Sequence, residues 1–416
     1  PWARSMLRSL KRAICRIRHA MLLPSSASDA ISLERWHALP SAARIRRSHA
    51  GLPSRQSDSD PVTSDDVASP APTTKNGDNL WADAIAKEIN SLKALGCFKL
   101  DTRRDWNWRA EGYQYAPLRL VFDVKPSGMQ KARLVCGGHV IKTDLNTYAS
   151  TVKSLSVRLI NLIAVANTLE VLCGDVGNAF VNAYTREKVF TTAGPEFGSE
   201  WAGKRLIIVK ALYGMRTSAE RWRSHFAQTL RSMGFFALRS DQDVWLRERD
   251  DKSGYEYICT HVDDFKIVAK DPWHYMKIIQ SQYIVKDIGP PSYYLGNDYF
   301  VRPDGFCYVG SSMYVKEALR RVQDKFGELT KERSPAPRDD HPELDESALC
   351  TPDEIRIFQG LIGTAQWIVL LGRMDIAQAV TSLSRFNVAP RQGHLARAFR
   401  IFGYLKRHKH RCIRID

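Results

Sequence analysis

Two adjacent carboxylates, Asp263 and Asp264, lie between apolar segments of the chain, unlike the other Asp-Asp pairs of the sequence. Residues 255–262 before the pair and residues 265–268 after it are rich in apolar and aromatic side chains. Adjacent carboxylates between apolar strands repel each other and lose water, so keeping both ionised is costly without a cation. Mg²⁺, a hard ion that prefers oxygen ligands, would remove that cost. A plain hairpin turn is an equal alternative for the pair taken alone.

A third carboxylate, Asp175, ends a second apolar segment, residues 171–173, and the helical-looking residues 179–181 follow it. An acid at the end of one strand and two acids on a neighbouring hairpin can hold two divalent ions about 3.5–4 Å apart. Such ions stabilise the attacking and the leaving oxygens of an in-line phosphoryl transfer. The three acids therefore indicate phosphoryl-transfer chemistry, although a strand-terminal turn explains Asp175 equally well on local evidence.

The strands that would position these acids can be predicted from hydrophobic patterning. Strands are expected at 169–174, 255–261 and 265–269. Because only Val262-Asp263-Asp264 joins the last two, they should form a tight hairpin with the acids at its tip. A second hairpin is expected from 116–124 and 130–136 around Pro126-Ser127-Gly128. The remaining strands are expected at 205–210, 243–248, 292–300 and 305–309.

Helical periodicity appears both between these strands and after them. The C-terminal part has a clear start signal, because Thr351-Pro352-Asp353-Glu354 is a capping box with proline at the first helical position. The pattern as a whole is α+β, with helices and antiparallel strands in the centre and helices near the C-terminus. Helices are expected at 79–95, 154–167, 217–233, 272–281, 352–371, 375–387 and 393–407.

Length and charge bound the class of protein. The chain has 416 residues, 44% of them hydrophobic, which predicts roughly two or three globular domains. Lys and Arg number 61 against 45 Asp and Glu, and this net charge of +16 indicates a polyanionic partner, nucleic acid or an acidic membrane surface. The excess lies in residues 1–55 and 391–416. Residues 1–77, rich in Ser, Pro and Arg, are expected to be a disordered or linker segment.

Cysteine spacing and hydropathy exclude further classes. The 8 cysteines include no CxxC, which excludes a zinc ribbon and a thioredoxin-like motif. Several thiols lie in apolar runs, which indicates a reducing, intracellular compartment. No uncharged apolar run is long enough to cross a bilayer, so no membrane span is expected. His408, His410 and Cys412 could bind a metal, but a basic surface tail is the favoured interpretation.

From Trp81 to about Lys406 the sequence resembles the reverse transcriptase region of copia-type LTR retrotransposon polyproteins. Groups of residues match that family in the right order and spacing, which is a strong signal although no single motif is decisive. They are Trp81-Ala82-x-Ala84-x-x-x-Glu88-Ile89, Lys131-Ala132-Arg133-Leu134-Val135, Asp175-Val176-x-Asn178-Ala179-Phe180-x-Asn182, Leu212-Tyr213-Gly214 through Trp222, His261-Val262-Asp263-Asp264, Lys286-Asp287-Ile288-Gly289 with Tyr294-Leu295-Gly296, and Gly360-x-x-Gly363-x-x-x-Trp367 through Tyr404-Leu405-Lys406.

The resemblance implies a right-hand polymerase of α+β class, with fingers, a palm built on an antiparallel sheet, and a thumb, followed by a helical connection segment. Residues 78–310 would form the fingers and palm, and residues 311–416 the thumb and connection, ending before any ribonuclease H domain. The implied reaction is RNA- and DNA-templated DNA synthesis, in which a primer 3′-hydroxyl attacks the α-phosphate of a dNTP.

Partners and location follow from the same resemblance. The partners would be an RNA or DNA template with its primer, dNTPs, and ribonuclease H and integrase modules of the same polyprotein, which are not expected within this chain. No membrane partner is implied. The location would be a cytoplasmic virus-like particle, with the nucleus as a second compartment.

The resemblance also implies which residues would carry the chemistry. Asp175 and Asp263 would hold two Mg²⁺ ions, or Mn²⁺ as a substitute, with Asp264 close by and the backbone carbonyl of Val176 as a further ligand. Lys286 would be the general acid for the leaving pyrophosphate, and a surface lysine is the alternative for it.

The substrate-binding residues are implied in the same way. Phe180 would be a steric gate that fills the space a ribose 2′-hydroxyl needs, with core packing as its alternative. Lys131 and Arg133 would contact the triphosphate, with a solvated hairpin face as the alternative. Gly214, next to Tyr213, would let the backbone approach the incoming base pair. Leu295-Gly296 would lie at the primer grip.

Some positions depart from the family's usual residues. His261 stands where tyrosine is usual, Gly138 where lysine is frequent, and Met215–Glu220 where Leu-Lys-Gln-Ala-Pro-Arg is commoner. All three acids remain, so the departures indicate a diverged or decaying element rather than a lost active site. A second hypothesis is a catalytically decayed remnant that only binds nucleic acid, in keeping with the charge and the altered residues 215–220. Another palm-type polymerase, such as an intron-encoded maturase, is a weaker third.

Overall fold

The computed structural model describes residues 81–124, 128–301 and 307–415. The expected disordered or linker segment 1–77 lies outside these residues, as does most of the turn Pro126-Ser127-Gly128. No helix of the described ranges is long and apolar enough to cross a membrane.

A six-stranded antiparallel sheet forms the centre of the fold, with the strand order β12-β5-β11-β10-β9-β8. Its strands are rich in Val, Ile, Tyr and Phe, which favour the extended backbone. They are β5 (Glu170–Val176), β8 (Phe236–Ala237), β9 (Val244–Glu248), β10 (Tyr255–His261), β11 (Asp264–Ala269) and β12 (Val285–Gly289).

Helices cover both faces of this sheet, which is why its strands β10 and β11 are almost continuously buried. Helices α3 (Ser218–Ser232) and α4 (Pro272–Gln282) pack on one face through Trp222, Phe226 and Ile279. Helix α2 (Ser154–Ala166) packs on the other face. The acids at one end of β5 and β11 are thus carried on a rigid, fully layered scaffold.

A second layer is formed by segments that precede β5 and by the segment between β5 and β8. It contains the sheet β1-β7-β6-β2, the hairpin β3–β4 and helix α1 (Ala82–Ala94), all of which share one apolar core. Among the described strands of the chain, only β2 and β6 pair in parallel. The strands are β1 (Phe98–Leu100), β2 (Gln114–Tyr115), β3 (Leu118–Val124), β4 (Gln130–Cys136), β6 (Tyr184–Thr192) and β7 (Arg205–Lys210).

The last part of the chain joins a small sheet to a helical core. The sheet has the order β13-β14-β15-β16, in which β16 (Cys412–Ile415) returns from the C-terminal region to pair with β15 (Cys307–Gly310). Strands β13 (Tyr293–Tyr294) and β14 (Asn297–Val301) form its hairpin. The helices are α5 (Ser312–Phe326), α6 (Pro352–Leu370), α7 (Ala377–Ser384) and α8 (Gln392–Arg407).

Most expected elements are present with bounds that differ by a few residues, and the class is α+β with antiparallel sheets as expected. The capping box is formed: the Thr351 hydroxyl accepts from the backbone N–H of Glu354, whose carboxylate accepts from the backbone N–H of Thr351. The single strand expected at 292–300 is wrong, because the chain turns at Leu295-Gly296 and makes β13 and β14. The helix expected at 375–387 is also shorter, and a 3₁₀ turn precedes it.

Strand β6 and helix α5 were not expected from the sequence. Arg186, Glu187 and Lys188 follow one another in β6, which hides the alternation that marks a half-buried strand. Helix α5 begins in a serine pair and is rich in charged residues, and its buried residues are Val315, Ala318, Leu319 and Val322.

Candidate active site

Strand pairing brings Asp175 and Asp264 opposite each other. Strands β5 and β11 are neighbours, and their register aligns these two residues at the end of the pair. In the β10–β11 hairpin His261 pairs with Asp264, so Val262 and Asp263 are the two turn residues. The hairpin is therefore the one expected from the sequence, and it places Asp263 at the tip beside the other two acids.

The turn that carries Asp263 is held from two sides. The backbone N–H of Val176 donates to the Asp263 carbonyl at 2.9 Å. The indole Nε1–H of Trp222, a side chain only 1% exposed, donates to the Val262 carbonyl at 2.6 Å. Val262 has φ of 60°, a left-handed backbone that is strained for a β-branched residue. These bonds fix a turn whose backbone would otherwise relax.

The acids shift one another's protonation. Burial, then the charges of Asp263 and Asp287, raise the pKa of Asp175, while Lys286 and Lys131 oppose the rise. Asp264 is exposed. Partial burial among protein atoms, followed by the charges of Asp263, Asp175 and Asp287, nevertheless raises its pKa to about 6. The cluster thus concentrates negative charge in a partly desolvated place, which is a feature of functional sites.

Asp287 is a fourth acid of the cluster that the sequence did not single out. It follows Lys286 in β12, has a left-handed φ of 50° and acts on both Asp175 and Asp264. It lies within the matched segment Lys286-Asp287-Ile288-Gly289, so the signal was present, but nothing in the local pattern indicates that β12 pairs with β5.

The donor chemistry of the cluster fits a divalent cation. Carboxylate oxygens are the ligands that Mg²⁺ prefers, and a bound cation would reverse the raised pKa values of Asp175 and Asp264. Within the ranges 81–124, 128–301 and 307–415, no three His, Cys, Asp or Glu side chains are arranged so that they could hold a metal together. The fit therefore rests on donor type and charge rather than on a preformed cage.

Lys286 and Val176 lie next to Asp175, on the paired strands β12 and β5. Lys286 is aligned with Asp175 across the β12–β5 pair and is exposed. Its Nζ lies 3.3 Å from where a Cβ on Gly177 would be, so the lysine side chain crosses the chain just after Asp175. Val176 is 1% exposed, and its N–H is used by the Asp263 carbonyl.

Lys131 and Arg133 both lie on β4, facing the same side. Arg133 Nη1 is 3.7 Å from Asp123 Oδ2 on the partner strand β3. Burial raises the pKa of Glu88 on α1, and the Leu134 backbone N–H, followed by Lys131 and Arg133, opposes that rise. Lys131 also lowers the pKa of Asp175. The β3–β4 hairpin thus contributes one cation, Lys131, whose charge acts on the acid cluster.

Tyr213 and Gly214 join this hairpin to the acid cluster. The Phe180 and Tyr213 rings are 5.0 Å apart, and Phe180 is half-buried. Burial, followed by the charge of Asp263, raises the pKa of Tyr213 to about 12. The backbone N–H of Cys136 at the end of β4 donates to the Tyr213 carbonyl at 2.7 Å.

Gly214 approaches the chain's own backbone. It has φ of 91°, and a Cβ there would lie 2.1 Å from the Cys136 carbonyl oxygen. A Cβ on Gly138 would likewise lie 2.1 Å from the Gly214 carbonyl oxygen. The glycine at 138, one of the departures noted in the sequence, is therefore a packing requirement. The expected approach of Gly214 to a base pair stays a prediction.

A basic groove of about 810 Å³ lies between α5 and the end of α8. Its lining includes Lys316 and Arg320 from α5, and Arg407 and Lys409 at the end of α8. Asp324 is its acid, and Arg320 pairs with it at 2.6 Å. The groove presents mostly positive charge on a part of the chain remote in sequence from the acids.

Comparison with known proteins gives two kinds of match. A family model described as reverse transcriptase (RNA-dependent DNA polymerase) matches residues 110–331. The Retrovirus-related Pol polyprotein from transposon RE1 of Arabidopsis thaliana is 27% identical over 338 residues, covering 79% of this chain and 22% of that protein. The Retrovirus-related Pol polyprotein from transposon TNT 1-94 of Nicotiana tabacum is 26% identical over 349 residues, covering 79% of this chain.

A shorter relative matches a smaller share of the chain. The putative transposon Ty5-1 protein of Saccharomyces cerevisiae is 26% identical over 249 residues, which are 58% of this chain and 77% of that protein. The chain spans only 22% and 25% of the length of the two plant polyproteins.

Proposed function

Because this chain belongs to the reverse transcriptase (RNA-dependent DNA polymerase) family and is a copia-type retrotransposon region of that family, we propose that it copies an RNA or DNA template by adding dNTPs to a primer 3′-hydroxyl. The observation that carries the proposal is the pairing of Asp175 with Asp264 across β5 and β11, with Asp263 on the adjoining turn. Three acids at one end of the neighbouring strands β5 and β11 suit the two-ion chemistry of phosphoryl transfer.

In this proposal Asp175 and Asp263 hold two Mg²⁺ ions, or Mn²⁺, with Asp264 beside them and the Val176 carbonyl as a further ligand. When bound, the ions would favour the deprotonated 3′-hydroxyl and neutralise charge on the phosphates. Lys286 donates a proton to the leaving pyrophosphate. Its alignment with Asp175 across the β12–β5 pair supports that role.

The substrate contacts follow from the β3–β4 hairpin and its neighbours. Lys131 and Arg133 bind the triphosphate, and the action of Lys131 on the pKa of Asp175 supports its nearness to the acids. Phe180, packed on Tyr213, excludes a ribose 2′-hydroxyl, and its half-exposed ring is available for that contact. Gly214 keeps the backbone beside the base pair free of a side chain.

The polymerase subdomains are proposed from the layers of the fold. Residues 78–310 form the fingers and palm, with the six-stranded sheet as the palm and the β3–β4 hairpin in the fingers. Residues 311–416 form the thumb and connection. The basic groove in this second part would bind the phosphate backbone of a template–primer duplex, because lysine and arginine supply the salt-dependent part of nucleic-acid binding.

Partners and location belong to the same proposal. The ribonuclease H and integrase modules of the polyprotein would act with this chain, and the setting would be a cytoplasmic virus-like particle, with the nucleus as a second compartment. The share of the plant polyproteins that this chain covers is consistent with further modules elsewhere.

A second candidate is a decayed retroelement protein that binds nucleic acid without polymerising. The altered residues Met215–Glu220 favour it, since they lie beside Gly214, and the net charge of +16 would maintain duplex binding.

Primer extension on a poly(rA)/oligo(dT) duplex tests the first proposal against the second. Polymerisation with Mg²⁺ that EDTA abolishes supports the polymerase. Salt-sensitive duplex binding without extension in Mg²⁺ or Mn²⁺ would overturn it in favour of the decayed protein. Circular dichroism of the same preparation identifies an unfolded sample, because an unfolded chain of net charge +16 would still bind duplex in a salt-sensitive way.

A further inference from the structure

Lys266 is a fully buried lysine in the central sheet. It lies on β11, two residues after Asp264, and is 0% exposed. Its Nζ donates to Asn161 Oδ1 at 3.1 Å. In the described ranges no carboxylate lies within ion-pair distance of it. Lysine is almost never fully buried unless it is paired, because loss of hydration is costly for a charged group.

Two aromatic rings take the place of a carboxylate around this ammonium. The Nζ of Lys266 lies 4.7 Å from the centroid of the Tyr294 ring and 4.1 Å from that of the Tyr299 ring. The tyrosines are 3% and 7% exposed. Asn161 closes the group, since its Nδ2 donates to the Tyr299 hydroxyl at 3.4 Å. Cation–π attraction is strongest in such desolvated places.

Both tyrosines belong to the hairpin that carries Leu295-Gly296. Tyr294 pairs with Asn297, so Leu295 and Gly296 are the two turn residues, with φ of 51° and 82°. Positive φ at both positions is the pattern of a type I′ turn, which favours Asn or Gly rather than leucine. A strained residue persists only where its surroundings over-determine it.

The turn is held from two directions. On the side of α6, Asn297 Nδ2 donates to the Leu371 carbonyl at 2.6 Å and to the Gly310 carbonyl at 3.0 Å. A Cβ on Gly296 would lie 2.9 Å from Leu371 Cδ2, so the turn is pressed against that residue. On the side of the central sheet, Lys266 holds the two tyrosines that flank the turn.

We propose that Lys266 is a positioning residue, which holds the Leu295-Gly296 turn, and with it the primer 3′ end, in a fixed place relative to Asp264. The inference rests on the proposed function, because it takes the turn as the primer-contacting element. One strand carries both the acid and the lysine, so the aromatic contacts transmit the position of β11 to the hairpin.

An apolar side chain would fill the same space at a lower cost of burial. Lys266 is aligned with Cys173 on β5 and Cys259 on β10, both small and weakly polar. Replacing buried charges by apolar groups of similar volume is often neutral or stabilising. A lysine that only filled space would therefore be less stable than an apolar residue at this position. The ammonium of Lys266 instead contacts two aromatic rings of a strained hairpin and stabilises that hairpin.

The test compares Lys266→Met, which keeps the length of the side chain and removes the ammonium, with Lys277→Met. Lys277 is exposed on α4 and serves as the charge-matched control. Active sites are titrated by burst amplitude, so that each rate refers to folded, competent protein. Lys266→Met should lower the turnover per active site, and weaken template–primer binding, by about tenfold. The dNTP KM should change less than about twofold, since only the primer is displaced.

A local readout is independent of polymerase activity. Amide exchange at residues 293–298 should accelerate in Lys266→Met while exchange in α3 stays unchanged, because only the hairpin loses its contact. Tyr294→Leu removes one of the two ring contacts of Lys266, so it should produce both effects to a smaller degree. It should not add to Lys266→Met in the double variant, because Lys266→Met already removes that contact. Tyr294→Phe, which retains the ring, should restore turnover and duplex binding to near the wild-type level.

The failure of this inference differs from the failure of the proposed function. Wild-type protein that extends no primer would remove the polymerase proposal while leaving the exchange result to be read alone. Wild-type extension, together with unchanged turnover, duplex binding and hairpin exchange in Lys266→Met, would overturn the positioning role. Equal acceleration of exchange throughout the central sheet would also overturn it, because the lysine would then be a general packing residue.

Discussion

Replacing Val262 by glycine and by alanine should reveal the strain in the turn that presents Asp263. Val262 has φ of 60°, and of the two turn residues it alone has a positive φ. This is the pattern of a type II′ turn, which favours glycine at its first central position. Both substitutions remove a side chain that is 38% exposed, and both keep the carbonyl that accepts from Trp222.

The expected magnitude follows from two opposing contributions. A left-handed backbone costs a non-glycine residue about 1–2 kcal/mol, and alanine retains that cost. Glycine loses more backbone entropy on folding, about 0.4–1 kcal/mol relative to alanine. Val262→Gly should therefore be more stable than Val262→Ala by about 1 kcal/mol, the reverse of the order at ordinary positions.

Urea unfolding followed by tryptophan fluorescence measures this difference, provided that the slope of the free energy with denaturant is the same in both variants. Both variants lack the two methyl groups of the valine side chain, so the difference between them reports on the backbone. An alanine variant as stable as the glycine variant, or more stable, would refute the claim that Val262 holds the turn under strain.

Other consequences of the described contacts can be checked in the same way. In Gly214→Ala the new Cβ would lie 2.1 Å from the Cys136 carbonyl oxygen, so the junction between these residues should be disrupted. The variant should lose several-fold in soluble yield and about 2 kcal/mol or more of unfolding free energy, as measured by urea titration. Burial raises the pKa of Cys259 to about 12, so iodoacetamide at neutral pH should modify this thiol only after denaturation, as read by mass spectrometry; rapid labelling of folded protein would contradict its burial. Burial raises the pKa of Asp375, but the Arg373 guanidinium outweighs burial and holds that pKa below its ordinary value. The stability that the ionised Asp375 contributes is present above about pH 4 and is lost as the pH falls through the lower folded-state pKa. Asp375→Asn should therefore flatten the fall in unfolding free energy toward acid pH.

The placement of Asp263 and Asp264 could be predicted because its determinants are local. Apolar residues on both sides of a two-residue turn fix the register of β10 and β11, and this places Asp264 beside the tip. The pairing of β5 with β11 joins segments that are far apart in sequence. It was inferred from the resemblance and the chemistry of the acids rather than from any pattern of pairing.

Features that depend on tertiary contacts could not be predicted. Leu295-Gly296 lacks an Asn-Gly or Asp-Gly signal, so the two strands around it read as one. Lys266 reads as an exposed lysine in an apolar strand, because its burial depends on Asn161 and two tyrosines from distant segments. The steric need for glycine at position 138 arises from its contact with Gly214, a residue distant in sequence.

Primer extension by Asp263→Asn, compared with Asp250→Asn, tests the central claim most directly. Both changes remove one negative charge from an Asp-Asp pair, but Asp250 is a surface residue whose side chain is 89% exposed and pairs with Arg247. We predict that Asp250→Asn extends poly(rA)/oligo(dT) like the wild type, while Asp263→Asn binds the duplex and adds no nucleotide. Extension at the wild-type rate by Asp263→Asn would contradict the assignment of this acid cluster as the polymerase centre.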